Sequence, residues 1–414
     1  MVCRPALILA VLLACAVPQC ASAEGSPSPD RAYVDAVLDG LAQLGLLTSD
    51  QVRDLRTRGE MAAQDALQSA RAAAPSPRPA VPKWYDAMKV SGWMQGRWQY
   101  YPHDLEVRDA SGDKRQISNE FLLKRARLVI DARSSADTRV YVQSEYSDPS
   151  GLSLKDFYLD RYLGDDQAHR VRVGQQKVPF GFEVVQSPLE RLPLEDNWTT
   201  RRTIPGLRDT GVTWMYTTPE DATLFAEARS KWFGAGDYGN VAVSVLNGQG
   251  VGPEAQEVNG DKHVALRLAK PFELRGDGKY AEVGASYYAG DYFSKGASAE
   301  FSEHLTGMHG FIAPTPLGFQ AEYFEGRTEG HEIDGWYAMG LWRTGPRGTA
   351  FLRHEDMDGW RKGANKADSR HRTSVGYAHQ LSFGTRLTLE YDHDVLDDAG
   401  GRADIVGVQV QTRF

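Results

Sequence analysis

Cysteine is almost absent from this chain of 414 residues, and its few copies lie at one end. Cys3, Cys15 and Cys20 all precede residue 24, within a segment that has the features of an export signal. Removal of that segment would leave a mature chain without cysteine. We therefore expect no disulfide bond, no thiolate metal site and no cysteine catalysis.

Long apolar runs and net positive charge are also missing. Beyond the export signal, no segment approaches the roughly 20 apolar residues that a spanning helix needs, and the mean hydropathy is −0.46. These features fit a soluble periplasmic protein or an outer-membrane barrel, whose polar lumen hides its membrane character. The formal net charge of −8 argues against nucleic acid as a partner.

Local composition divides the chain into four predicted regions. In the first, Arg4 precedes an apolar core, and cleavage is expected after Ala23. The second contains two helical patterns, and the capping box Thr48–Gln51 opens the later one. This second region is either a coiled-coil or wall-tethering appendage or a helical hairpin packed on itself. The predicted boundaries are 1–23 for the signal peptide, 24–74 for the periplasmic helical extension, 75–83 for a proline-rich linker and 84–414 for a barrel.

One segment of twelve residues, Leu122–Arg133, alternates between an apolar and a basic face, as a β-strand does. The apolar face carries Leu122, Ala126, Leu128, Ile130 and Ala132, with Lys124 as its single exception. The opposite face carries Leu123, Arg125, Arg127, Val129, Asp131 and Arg133. A soluble sandwich would bury the apolar face, whereas a membrane barrel turns it to lipid and turns the arginines to a wet lumen.

Similar alternating segments recur from residue 89 to the end of the chain, and short and long connections alternate between them. Outer-membrane barrels have this pattern because their periplasmic turns are short and their outer loops are long. We therefore predict an all-β fold, a transmembrane antiparallel β-barrel of sixteen strands with both termini in the periplasm. Ala222–Trp232 also looks like a strand. We interpret 218–238 as an enlarged turn or a hairpin outside the wall, and counting it in the wall leads to an eighteen-strand alternative.

The last predicted strand, 404–414, ends on an aromatic residue. Val406, Val408, Val410 and Phe414 share one face of it. A terminal phenylalanine on an amphipathic strand is similar to the signal that the barrel-assembly machinery recognises. We therefore expect that machinery to be a partner, while a chance edge strand is the alternative.

Seven short motifs follow one another along the chain. They are Lys124–Leu128, Leu154–Tyr158, Val171–Glu183, Leu207–Val212, Asn247-Gly248, Gly335–Tyr337 and Gln411–Phe414. Their order and spacing resemble the phosphate-selective porin O/P family over residues 90–414. The resemblance implies a trimeric channel whose third outer loop, 179–208 here, folds inward and narrows the lumen. The chain departs from the family pattern over 187–200 and through its insertion at 218–238.

Arginine is the commonest cation that we expect to face the lumen. It suits an anion pathway because its planar guanidinium binds phosphate oxygens bidentately and stays charged at any working pH. A channel needs several weak sites, so that an ion can leave as well as enter. The alternative is that these arginines pair with carboxylates such as Asp131, Glu145, Asp156 and Asp160. The predicted anion-pathway residues are Arg125, Arg127, Arg133, Arg170, Arg172, Arg191, Arg201, Arg202 and Arg208.

The function expected from these features is passive diffusion of small anions, such as phosphate or pyrophosphate, across the bacterial outer membrane. The expected partners are those anions, membrane lipid, two further copies of the chain in a homotrimer and the assembly machinery. No catalytic residue, metal or cofactor is predicted. The alternatives are a general or sugar-conducting porin, a barrel enzyme with a Ser-His-acid site, and a soluble periplasmic binding protein.

Overall fold

The computed structural model divides the chain into two compact units, residues 1–81 and 82–414. The predicted signal peptide, most of the first predicted helix and the proline-rich linker lie outside the described residues. The residues that the structure describes are 38–39, 42–43, 48–73, 87–108, 114–147, 150–197, 207–250, 257–274, 279–294, 298–361, 366–367, 369–382, 384–396 and 401–414.

The described part of the first unit contains helix α1, Ser49–Ala73. Its start agrees with the capping-box pattern. The Thr48 N–H donates to Gln51 Oε1 at 2.8 Å, and the Gln51 N–H donates to Thr48 Oγ1 at 3.4 Å. None of the described helices is both long and apolar enough to cross a membrane. The role of this extension stays a prediction.

The second unit contains one antiparallel sheet that closes on itself, because β1 pairs with both β2 and β17. Sixteen strands form the wall, and the two-residue β14 pairs with β13 beside it. The sixteen-strand prediction is confirmed. The strands are β1 (Met88–Arg108), β2 (Lys114–Ser135), β3 (Thr138–Ser147), β4 (Gly151–Leu163), β5 (His169–Lys177), β6 (Arg208–Tyr216), β7 (Val241–Leu246), β8 (His263–Leu274), β9 (Lys279–Ser294), β10 (Ala299–Ile312), β11 (Leu317–Thr328), β12 (His331–Arg343), β13 (Gly348–Arg361), β14 (Lys366–Ala367), β15 (Arg370–Ser382), β16 (Thr385–Leu396) and β17 (Gly401–Arg413).

The predicted alternation of short and long connections is wrong in part, because the links from β1 to β2 and from β9 to β10, expected to be long, span only 109–113 and 295–298. The long links of that rim are those from β5 to β6 and from β7 to β8. The links from β2 to β3, β4 to β5, β10 to β11, β12 to β13 and β15 to β16 are all short and lie on the opposite rim. Short turns mark the periplasmic rim of such barrels. The exception on this rim is the long link from β6 to β7, which holds helix α2, Pro219–Lys231.

Helix α2 corrects the interpretation of Ala222–Trp232 as a strand-like segment. Both the eighteen-strand alternative and the hairpin outside the wall are wrong. The Thr218 side chain caps the helix by accepting from the Asp221 N–H at 3.2 Å, and Pro219 occupies its first turn. Asp221, Phe225 and Ala228 are the buried residues of α2, and their spacing has the period of a helix.

A β-bulge in β2 explains the exceptional Lys124. Gln95 of β1 pairs with Arg125, and Gly96 pairs with Leu123, so Lys124 is an extra residue in the ladder. The bulge turns Lys124 inward, where its Nζ forms an ion pair with Glu195. The bulge also reverses which residues of β2 face the lumen and which face lipid on the N-terminal side of Lys124. Leu122 therefore pairs with the lumen-side Arg97, and the predicted placement of Leu122 on the lipid face is wrong.

Candidate functional site

The connection between β5 and β6 enters the lumen, although it contains neither a helix nor a strand over its described residues 178–197. Val178, Phe182 and Val185 are each at most 1 % exposed. Phe182 stacks on Phe311 of β10 with ring centroids 5.0 Å apart. We call residues 178–197 the inner loop.

Cationic side chains of the wall hold the main chain of the inner loop. Lys177 Nζ donates to the carbonyls of Val185 and Gln186 at 2.9 and 2.7 Å. Five arginines from five other strands donate to further loop carbonyls. They are Arg97 to Leu194 at 2.6 Å, Arg267 to Gly181 at 2.8 Å, Arg353 to Glu195 at 3.1 Å, Arg372 to Asp196 at 3.0 Å and Arg386 to Arg191 at 2.5 Å.

Carboxylates of the wall also hold the inner loop, by accepting hydrogen bonds from its main-chain N–H groups. Glu322 of β11 accepts from the N–H groups of Phe182 and Glu183, and Glu390 of β16 accepts from the Leu194 N–H at 2.7 Å. Main-chain groups buried without a partner are costly. The polar wall therefore supplies the partners that a loop inside a barrel cannot supply itself.

A cavity of about 380 Å³ lies beside the inner loop, against β2 to β5, and we call it the outer cavity. Ser147 and Ser150, which border the outer connection between β3 and β4, also line it. Seven cationic side chains and two carboxylates face this space. They are Lys124, Arg125, Arg127, Lys155, Lys177, Arg191 and Arg208, with Glu145 and Asp196.

Three of the predicted arginines in the outer cavity are held by carboxylates. Arg127 Nε donates to Glu145 at 2.6 Å, and both nitrogens of the Arg208 fork reach Asp156 at 3.0 Å. Arg191 pairs with Glu183 at 2.7 Å and also with Asp196. The bidentate pair of Arg208 with Asp156 fixes the direction of its guanidinium plane.

Arg125 has a weaker carboxylate contact than its neighbours. Its Nη1 donates to the neutral side chain of Gln95 at 3.1 Å, while its Nε lies 3.9 Å from Glu145. Lys177 resembles it, because the hydrogen bonds described above join its ammonium to carbonyls. Arg125 therefore keeps more of its positive charge available to the outer cavity than Arg208 does.

Arg170 and Arg172 project into the lumen from β5, and Val171 and Val173, which alternate with them, face outward. Arg172 forms a bidentate pair with Asp160 at 2.7 and 2.9 Å and lies 3.7 Å from the centroid of the Tyr158 ring. Arg170 donates to the Asp237 carbonyl at 3.0 Å. Neither arginine lines the outer cavity.

The remaining predicted residues are not brought into this group. Arg133 is exposed next to the turn between β2 and β3, where its Nη1 donates to the Ala136 carbonyl at 3.4 Å. Arg201 and Arg202 lie outside the described residues.

Sequence reasoning missed Lys124, Lys155 and Lys177 as cations of the outer cavity. Lys177 belongs to the family motif Val171–Glu183, so the sequence could have shown it to be a candidate. Lys124 could not be found in this way, because the bulge places it on the opposite face from the one that alternation predicts. The five arginines that bind the loop carbonyls were also missed. Their strands have the alternating pattern that could have placed them in the lumen, but their contacts with the loop join residues far apart in sequence.

A second cavity, of about 280 Å³, lies near the periplasmic rim, and we call it the inner cavity. Ser230, Lys231 and Phe233, at the end of α2 and just beyond it, form one side. Glu190 is the one carboxylate among the residues described around this space. The cationic residues around it are Lys231, Arg343, Arg347, Arg386 and Arg413.

Comparisons with known proteins place the chain among porins. The family model described as phosphate-selective porin O and P matches residues 100–308, about half of the chain. No curated protein matches it. Three solved structures of similar fold are the outer membrane channel DcaP of Acinetobacter baumannii, the anion-selective porin of Comamonas acidovorans and the trimer form of OmpT from Vibrio cholerae.

The likeness to these structures concerns the fold, because sequence identity is low. DcaP and the anion-selective porin each have a TM-score of 0.53 and 14% identity. Each of these two matches covers 79% of this chain. The matches cover 97% of DcaP and 99% of the anion-selective porin. The OmpT trimer form has a TM-score of 0.50 and 10% identity, with 79% of this chain and 99% of OmpT covered. The family match and the closed barrel together show that the chain belongs to the phosphate-selective porin O and P family and is a porin of the bacterial outer membrane.

Proposed function

We propose that this porin lets small anions, such as phosphate or pyrophosphate, diffuse passively through the outer cavity and past the inner loop. The observation that carries the proposal is the group of seven cations around the outer cavity, which outnumber the five carboxylates that line it or pair with them. A field of one sign in a narrow cleft raises the local concentration of the opposite ion. The inner cavity, with five cations and one carboxylate, would continue this field toward the periplasm.

The carboxylates that bind Arg127, Arg191 and Arg208 limit how tightly an anion is held. A paired guanidinium attracts a passing anion less than an isolated one, because the carboxylate offsets part of its field. Weak sites in series favour conduction over storage. The same residues can thus fix the inner loop and guide an anion past it.

A sugar-conducting porin is the second candidate, and the lumen aromatics bear on it. Sugars would stack on exposed aromatic faces. Here the Tyr141 ring lies 5.1 Å from the Arg139 guanidinium, and Tyr158 lies 3.7 Å from that of Arg172. Arginines therefore lie over faces that a sugar would need, which favours the anion pathway.

Ion selectivity of the purified porin tests the proposal. In a planar bilayer under a KCl gradient, we expect a reversal potential of the sign for an anion-selective pore. We further expect that phosphate, added at low concentration, blocks the chloride current. A cation-selective or indifferent pore would contradict the proposal and would mean that the carboxylates neutralise the arginines. Current block by a maltooligosaccharide, without block by phosphate, would favour the sugar porin.

We also propose that the porin is a homotrimer in the membrane. We propose further that residues 24–74 lie in the periplasm and that the assembly machinery recognises the strand that ends at Phe414. The trimer form of Vibrio cholerae OmpT, which has a similar fold, supports the first point. The mass of the detergent-solubilised porin, measured by light scattering after correction for bound detergent, should be three times that of the chain. A mass of one chain would contradict the trimer.

A further inference from the structure

The long periplasmic connection between β6 and β7 is the feature that the pore function leaves unexplained. We propose that residues 218–240, with helix α2 at their centre, form a second constriction at the periplasmic mouth, and that this constriction excludes bulky organic anions while small inorganic anions pass. We call these residues the mouth segment. The proposal rests on the porin function, but not on which ion the pore selects.

Both ends of the mouth segment are fixed to the wall near β6 to β8. Lys270 of β8 binds Asp221 with Nζ to Oδ distances of 2.9 and 2.7 Å. Asn240 donates from Nδ2 to Asp221 at 2.7 Å and to the Ala269 carbonyl at 3.0 Å. Asn240 also accepts from the Thr218 N–H at 3.0 Å, so the first and last residues of the segment are joined.

The middle of the segment reaches strands far around the barrel from its ends. The guanidinium of Arg343, on β12, lies 4.9 Å from the Trp232 ring, and that of Arg386, on β16, lies 5.8 Å from the Phe233 ring. β12 is five wall strands beyond β7, the strand on which the segment ends. A chain anchored at β6 to β8 can touch β12 and β16 together only by crossing the mouth.

The mouth segment also packs on the periplasmic side of the inner loop. Gln186 of the loop donates from Nε2 to the Phe233 carbonyl at 2.6 Å. Val185 and Leu192 of the loop share a buried apolar cluster with Ala228 and Ala235 of the segment. The lumen is therefore narrowed twice in succession, by the inner loop and then by the mouth segment.

The inner cavity shows where space remains beside the segment. Ser230, Lys231 and Phe233 face Gln380 of β15 and Arg413 of β17 across it. An ion that has passed the inner loop can leave along this side, between the end of α2 and strands β15 to β17. The apolar cluster, which includes Met339 and Phe351 of the wall, borders this space at Ala378 and Phe233.

Replacing residues 219–238 by a short Gly-Ser turn tests the constriction. The variant should show a single-channel conductance in KCl that rises roughly twofold or more, because the resistance of a pore lies in its narrow parts. Its permeability ratio of gluconate to chloride should rise as well. Unchanged conductance together with an unchanged permeability ratio would overturn the proposal. The folded state is checked first by heat-modifiable mobility in electrophoresis.

A pair of cysteine variants keeps the test sharp if the deletion variant does not assemble. Ser230 and Glu227 are both exposed on α2, but only Ser230 lines the inner cavity. Labelling Ser230→Cys with a bulky methanethiosulfonate reagent should lower the single-channel current, and labelling Glu227→Cys should leave it nearly unchanged. Equal effects at the two positions, or none at either, would overturn the proposal.

The reversal potential separates this proposal from the proposed function. If the parent porin is not anion-selective, the anion pathway fails, whatever the deletion does to conductance. If the parent is anion-selective and the two mouth-segment tests show no effect, the second constriction fails and the anion pathway stands.

Discussion

At the scale of single residues, the lumen arginines differ in what holds them. Arg208 and Arg172 each form a bidentate ion pair with one carboxylate, whereas Arg125 donates to the neutral amide of Gln95. An arginine with a bidentate carboxylate partner contributes mainly to structure, and one with a neutral partner contributes mainly to the field in the cavity. These two classes give different expectations for substitution.

Replacing Arg125 should weaken anion binding without unfolding the barrel. In a wet lumen, loss of one cation near the anion costs about 1 kcal/mol, or roughly a fivefold rise in the phosphate concentration that half-blocks the current. The measurement is a phosphate titration of the chloride current for Arg125→Gln. Arg133→Gln is the matched control, because Arg133 lies on the same strand but is exposed at the rim. Equal shifts in the two variants would contradict the prediction.

Breaking the Asp156–Arg208 pair should affect stability more than breaking an exposed pair. Asp156→Asn leaves a buried guanidinium without its carboxylate, which typically costs about 3 kcal/mol. The exposed pair Asp137–Arg161 has an N to O distance of 2.6 Å, and Asp137→Asn should cost much less, because water screens an exposed pair. Urea unfolding of the barrel in lipid vesicles measures both free energies. The double variant Asp156→Asn with Arg208→Gln should recover part of the loss, and no recovery would argue against the pairing.

The arginine side chains of β2 and β5 could be placed from the sequence, but their partners could only be guessed. Period-two alternation put Arg125, Arg127, Arg170 and Arg172 inside, where the structure has them. Register between strands decides whether Arg208 meets Asp156 or another acid. Alternation within one strand carries no information about that register.

At the scale of elements, the inner loop and helix α2 are the parts that strand patterns describe least well. The start signals of α2 are nevertheless in the sequence. Thr218, Pro219, Glu220 and Asp221 supply a cap, a first-turn proline and two acidic residues. The strand-like alternation of the next eleven residues outweighed these signals because the surrounding chain is all strand. Lys124 was a similar signal, since a charged side chain facing lipid is destabilising and the bulge turns it into the lumen instead.

Loosening the inner loop should make the pore noisy. Arg353 and Arg372 hold the adjacent carbonyls of Glu195 and Asp196. Replacing both by Gln removes two charge-assisted hydrogen bonds, worth about 1.5–3 kcal/mol each, so the loop should detach for part of the time. Single-channel recordings should show added flicker in the double variant. Arg139→Gln is the control, because Arg139 pairs with Asp131 and Asp160 of the wall. A quiet double variant would mean that the remaining contacts suffice.

At the scale of the whole molecule, the barrel closes where the first and last strands meet. β1 and β17 pair from Trp93 with Arg413 to Tyr100 with Val406. Gly92 and Phe414 then exchange two main-chain hydrogen bonds of 3.0 Å each. Strand number could be predicted from the sequence, because each strand has its own alternating pattern. Strand length could not, since β1, β2, β9 and β10 continue into polar segments that resemble long loops. The pairing of β1 with β17 then follows, because the first and last strands must meet when the sheet closes.

The Phe414 side chain is 75 % exposed, so it contributes little to the packing of the finished barrel. Phe414→Ala should therefore change the free energy of unfolding by about as much as Leu317→Ala does, because both side chains lie on the outer surface of the barrel. If the assembly machinery reads this residue, however, the amount of folded porin in outer-membrane fractions should fall several-fold. Leu317→Ala, at another exposed apolar position of 62 % exposure, serves as the control. Equal yields for both variants would contradict recognition through Phe414.

The attachment of the inner loop also sets a time order for folding. The Leu194 N–H waits for Glu390, 196 residues later, and the Leu189 carbonyl waits for Gln411, 222 residues later. Contacts between residues so far apart form late, because most of the intervening chain must be in place first. The attachment of residues 189–194 is therefore completed only after the last two strands have joined the wall. A newly made barrel, almost complete, should expose this loop to a protease that the mature barrel resists.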